Sequence, residues 1–117
     1  MENPTQPNAW RILIVSSHPL FGKGLHKMLG AHPNYNVQVI GIVPDIDQAL
    51  QLLETSQPDL VILDYDDEHV NRQIFLRRFI EGDRRLRVVL LSLKEGGSQA
   101  VVYDRRILAA SQIDAWL

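Results

Sequence analysis

The chain has no cysteine. That excludes disulfides, thiolate metal centres and cysteine nucleophiles together. It has no apolar run near the roughly 20 residues that a membrane-spanning helix needs. An excess of charge of one sign is also missing. Twelve Lys and Arg stand against 14 Asp and Glu, a net charge of −2, so no global field draws the chain to nucleic acid or to an anionic membrane. The polar opening MENPTQPNAW lacks the apolar core of a secretion signal. GKG at Gly22–Gly24 lacks the upstream glycine and the following Ser or Thr of a phosphate-binding loop. These absences point to a cytoplasmic protein with no direct nucleic-acid or membrane partner.

What is present is ordinary for a globular domain: 117 residues, 45% apolar and 22% charged. Residues 1–9 read as a flexible tail and residues 10–117 as one domain. WRILIV (Trp10–Val15) is a buried-strand pattern, and PLFGKGLHKMLG follows with Phe21, Leu25, Met28 and Leu29 on one helical face, stopped by Gly30 and Pro33. VQVIGIV (Val37–Val43) is a second strand. DIDQALQLLETSQ puts Ile46, Ala49, Leu50 and Leu53 on one face of a second helix. DLVILDYD (Asp59–Asp66) is a third strand. VNRQIFLRRFIEGD is a third helix, with Phe75/Phe79 and Leu76/Ile80 as pairs one turn apart, and LRVVLLSL (Leu86–Leu93) is a fourth strand. Strands this apolar are covered on both faces, which predicts a doubly wound, mostly parallel α/β sheet.

The alternation then breaks. Only KEGGSQ separates Leu93 from AVVYDRR, and a parallel return needs a dozen residues or more. Six residues suit a hairpin, so the fifth strand is expected antiparallel to the fourth. With Gly96-Gly97 as the turn, Leu93 would face Ala100, Ser92 would face Val101 and Leu91 would face Val102. ILAA is expected to extend that strand. SQIDAWL is expected to close the chain as a short helix capped by Ser111, with Ile113, Trp116 and Leu117 on one face.

In this order and spacing, ILIVSSHPLFGKGL, PDLVILDYD and VVLLSL resemble the first strand–loop–helix, the third strand and the fourth strand of response-regulator receiver domains. The opening is most like that of the LuxR/NarL-type receivers. The resemblance implies a CheY-like, flavodoxin-like sheet of order 2-1-3-4-5, a phosphoacceptor at Asp64, a switch hydroxyl at Ser92, and a Mg²⁺-binding acidic pair where this chain has Ser16 and Ser17. The lysine that the family places after its fifth strand has no match, and Lys94 is the nearest stand-in. The family's fourth helix is missing and its fifth is reduced to a turn or two. These departures make the chain an atypical receiver, or pseudo-receiver.

Phosphoryl transfer to a carboxylate puts negative charge beside negative charge, and placement and electrostatics carry it. Mg²⁺ prefers charged, hard oxygens, and serine hydroxyls are neutral. No metal or other cofactor is therefore expected unless Asp64 is phosphorylated, with Asp64 and Asp66 as the residual metal candidates. Asp66, Asp67 and Glu68 read as a solvated loop, the last two near the start of the third helix, where its dipole favours acids. His18 reads as a loop residue at a helix start. The remaining histidines lack metal-ligand spacing, and the five arginines from Arg77 to Arg87 read as a solvated helix face.

The leading expectation is a non-enzymatic signalling module of the two-component type that binds a protein partner or itself. The deleted helix would uncover an interface over Val89, Leu91, Leu93, Val101, Tyr103 and Trp116, giving a homodimer that can exchange its C-terminal segment. One alternative is a working phosphoacceptor served by a histidine kinase through Asp64. The other is an unrelated small α/β domain that binds a ligand or nucleic acid.

Overall fold

The computed structural model describes residues 10–31, 36–82, 86–93, 99–104 and 108–116, without the side chains of residues 80, 99, 104 and 116. Residues 1–9, Lys94 and the expected Gly96-Gly97 turn lie outside the described residues. One five-stranded sheet runs in the order β2-β1-β3-β4-β5. Its strands are β1 (Trp10–Val15), β2 (Val37–Val43), β3 (Leu60–Asp64), β4 (Arg87–Ser92) and β5 (Gln99–Asp104). Between and after them come α1 (Pro19–Gly30), α2 (Ile46–Ser56), α3 (Arg72–Glu81) and α4 (Ile113–Trp116). The first four strands are mutually parallel, and β5 is antiparallel to β4.

Strand side chains alternate between faces, and this alternation builds two cores. Leu13, Val15, Val61, Leu63, Val88 and Leu90 face α2 and α3, where Phe75 is almost fully buried. Ile12, Ile14 and Ile62 face α1 and pack with Phe21 and Leu25. Each such buried side chain contributes about 1.5–3 kcal/mol relative to exposure. Gly22 lets α1 lie directly on β2, because a Cβ there would stand 2.8 Å from Ile42 Cγ2. Pro19 opens α1. Asp45 and Asn71 cap the next two helices by accepting the Gln48 and Ile74 amides at 2.9 and 3.1 Å. At the end of α2, Gln57 turns left-handed (φ 47°). The Arg11 guanidinium donates to the carbonyls of Ser56 and Gln57, which the helix leaves without partners.

Several expectations need correction. Met28 is 61% exposed instead of core-facing, and with Trp10, Leu29, Val37 and Leu60 it lines an apolar groove beside α1. The β4–β5 pairing is Leu91 with Ala100 and Ser92 with Gln99, two residues away from the expected register. A two-residue slip leaves every side chain on its face, so the apolar pattern could not detect it. α3 begins five residues beyond Asp67, at Arg72. Leu108–Ala110 form no strand. The residue before α4 is Gln112, not Ser111, and its Oε1 accepts the Ala109 amide at 3.1 Å.

The expected interface residues divide between the two faces of the sheet. Val89 and Leu91 are half-buried on the α1 face, where Val102 and Ala100 stand beside them. Val101 and Tyr103 oppose Leu90 and Val88 on the α3 face and are 46% and 40% exposed. Leu93, just past β4, is exposed. The side chain of Trp116 lies outside the described residues. The β4–β5 ribbon therefore carries exposed apolar side chains on both faces, and β5 is an edge strand.

Candidate functional site at the strand ends

Parallel strands bring their carboxyl ends to one rim, and in doubly wound sheets that rim is where ligands bind. Here β1 delivers Ser16, Ser17 and His18, β3 delivers Asp64 and the loop after it, and β4 delivers Ser92. Asp64 is 3% exposed. Its Oδ2 accepts the Ser16 hydroxyl at 2.7 Å and lies 3.3 Å from His18 Nδ1. Its Oδ1 accepts the Asp66 amide at 3.1 Å. The Ser16 Oγ also accepts the His18 amide at 3.0 Å, so this serine fixes the start of α1 as well as the aspartate.

The loop after β3 does not behave as a solvated acidic run. Asp67 turns inward and is fully buried. Its Oδ2 accepts the Ser17 amide, and its Oδ1 accepts the His69 amide at 2.9 Å, with His69 Nδ1 at 3.3 Å. Burial alone would raise the Asp67 carboxyl. Hydrogen bonds from the Ser17 hydroxyl and amide and from the His69 amide, with the charge of His18 nearby, outweigh burial and hold its pKa at about 2 against an ordinary 3.8. Asp66 points elsewhere, and its Oδ2 accepts the Ser92 hydroxyl at 2.8 Å. Arg72 donates to the Tyr65 carbonyl at 2.8 Å and stacks over the Tyr65 ring at 4.2 Å, which pins the far side of the loop.

The structure places Ser16, Ser17, Asp64, Asp66 and Ser92 at one rim. It adds Asp67, His69 and His18, which the sequence reads as a solvated loop acid, a histidine without metal-ligand spacing and a helix-start residue, and His18 is indeed the N-cap of α1. The available signal was complementary: two carboxylates are missing after β1, while two extra ones, Asp66 and Asp67, follow Asp64 in DYDDEH. The side chain of Ser17 leaves room for a carboxylate arriving from the other loop, and its free amide needs an acceptor.

Mg²⁺ takes oxygen ligands in near-octahedral geometry. At this rim the Ser16 hydroxyl is bound to Asp64, and the Ser17 hydroxyl serves Asp67. The Asp66 carboxylate, a metal candidate from the sequence, is bound to Ser92 instead. The donors that converge are His18, Asp64 and Asp67, with ligand atoms all within 4.8 Å of one another. Among these His and Asp side chains of the described residues, the imidazole nitrogen is a donor that Mg²⁺ does not favour.

No family model matches the chain. It is 28% identical over 98 residues to the transcriptional regulatory protein DegU of Brevibacillus brevis, covering 84% of this chain and 41% of that protein. It is 37% identical over 65 residues to the probable transcriptional regulatory protein NarL of Mycobacterium tuberculosis H37Rv, covering 56% and 29%. The chain spans less than half the length of either relative. Its structure superimposes on the signal receiver domain of the putative response regulator NarL from Mycobacterium tuberculosis with a TM-score of 0.59 and 28% identity, over 76% of this chain and 70% of that one. Among the described residues no helix is long and apolar enough to cross a membrane.

Proposed function

The chain is a response-regulator receiver-like domain, and from that premise we propose that it acts in signal transduction as a protein-interaction and self-association module, without the usual Mg²⁺-dependent phosphorylation of Asp64. The observation that carries this reading is the state of Asp64. It is buried, and both of its oxygens already accept hydrogen bonds. A phosphoryl donor would have to displace the Ser16 hydroxyl and His18 from Oδ2, and the donors around it do not fit the ion that normally offsets the incoming charge.

The interaction half of the proposal is supported by the β4–β5 ribbon. Among the described residues no strand pairs with its outer edge, and Val101, Val102 and Tyr103 are exposed. Such an edge is a template for another strand. The occupant we assign is a second copy, because antiparallel pairing of β5 with its own symmetry mate about a two-fold axis satisfies both edges at once. Light scattering across a concentration series should give a dimer, and a monomer throughout would overturn self-association. Incubation with acetyl phosphate or beryllofluoride and Mg²⁺ should leave the intact mass and the amide spectrum unchanged.

A second reading keeps Asp64 as a phosphoacceptor served by a histidine kinase. It is favoured by the neighbouring positions of Asp64 and Ser92 at the ends of paired strands, and a mass increase in the acetyl phosphate experiment would establish it.

A further inference from the structure

The apolar groove beside α1 lies at the end of the strands opposite Asp64. It runs along the last turn of α1 and across the first residues of the parallel strands. Met28 and Leu29 line it from the helix, and Trp10, Val37 and Leu60 line it from the sheet. It encloses about 410 Å³, within the range of about 300–1,000 Å³ typical of small-molecule sites. Val37 on β2 and Arg87 on β4 are its outermost strand residues, three strand spacings or about 14 Å apart. Met28 stands at its mouth, 61% exposed, and a thioether side chain adapts to apolar bodies of irregular shape.

Among the described residues that line the groove, Arg87 alone is charged. Its guanidinium carbon lies 5.5 Å from the centroid of the Trp10 ring. Stacking on an aromatic face orients a guanidinium and leaves its edge donors available, and that planar fork matches a carboxylate. Asp104 stands opposite Arg87 in the β4–β5 register, and the five donors of a guanidinium suffice for a resident partner and a ligand together. We propose that the groove binds an amphipathic monocarboxylate, with its apolar body between α1 and the strand starts and its carboxylate on Arg87. The walls set the apolar class, and Arg87 sets the sign of the charge. The site is at the far end of the strands from Asp64, and it requires neither half of the proposed function.

The test is calorimetric titration of the full chain with decanoate below its micelle-forming concentration. Naphthoate serves as an aromatic acid and decanol as an uncharged control. Emission from Trp10 is followed in Trp116→Phe, which removes the chain's other tryptophan. The expected result is one-to-one binding of an acid with a shift in Trp10 emission, and the tighter of the two acids tells an aliphatic body from an aromatic one. Arg87→Gln should weaken the acid about tenfold and leave decanol unchanged. Met28→Glu puts a negative charge at the mouth and should also weaken the acid, while the ligand-free melting curve stays in place because Met28 is largely exposed. Leu20→Ala, 83% exposed at the other end of α1, should change nothing. Absence of binding by both acids overturns the proposal, and so does acid binding that neither Arg87→Gln nor Met28→Glu weakens. Acid binding that appears only as a dimer is diluted to monomer gives the groove to a second copy and overturns it as well.

Discussion

The two sides of the sheet follow different building rules. In the β2-β1-β3 part, each strand is parallel to its neighbour, helices cover both faces, and the interior residues Leu13, Ile14, Val15, Val61 and Leu63 are inaccessible. In the β4–β5 part, the last strand returns antiparallel, and Val101, Val102 and Tyr103 remain in solvent. The first region therefore holds the most deeply buried strands and all of the site except Ser92. The second leaves apolar side chains exposed among the described residues. A receiver-like scaffold thus tolerates loss of covering helices at one edge, provided the parallel core that positions Asp64 is complete.

The sharpest way to break this comparison is a truncation in each region. Phe75→Ala, in the core under α3, should cost about 3–5 kcal/mol, read as a large drop in the urea midpoint. A cost below 1 kcal/mol there would show that the parallel half is not the stabilising one.

The next effect in size comes from Asp67. Its pKa is lower in the folded chain, about 2, than the ordinary 3.8. Its contribution is therefore fully present above pH 3.8 and is lost as the pH falls through that value toward 2. The amount is about 2 kcal/mol. Urea melts in chelator-treated buffer should show this loss in the native chain. Asp67→Asn should be less stable at neutral pH and should show a flatter acid limb.

The smallest effect on stability belongs to the ribbon. Val101→Thr combined with Val102→Thr keeps strand propensity and should change monomer stability by no more than about 0.5 kcal/mol. The same variant should shift the dimer toward monomer on dilution in light scattering. A stability loss comparable to that of Phe75→Ala would erase the distinction between the two regions.

Much of this fold was legible in the sequence because the strands are apolar runs bounded by turn residues, and because KEGGSQ is too short for a crossover. The positions of Asp64, Ser16, Ser17 and Ser92 followed from the likeness to receivers. The hairpin register was not legible, since AVVY offers apolar partners on both faces at either register. Asp67 was not legible for a different reason. Local reading sees an acidic residue in a polar loop and assigns it to water. Its burial depends on the Ser17 amide, 50 positions earlier in the chain, which only the folded sheet brings near. Met28 shows the same limit in reverse, for its place on an apolar helical face did not guarantee a neighbour to cover it.

The antiparallel return also bears on the order in which the molecule assembles. Asp64 meets Leu91, and Val15 meets Leu63, only after long stretches of chain have been brought back, and such contacts are slow to form. Ser92 meets Gln99 across seven positions, a closure that needs little search. β5 therefore pairs with β4 through contacts that are local in the chain. Its amides should exchange with solvent by local opening, on a shorter timescale than those of β1 and β3. Any exchange of β5 between two copies, an extension of the proposed self-association, would proceed no faster than the ribbon opens.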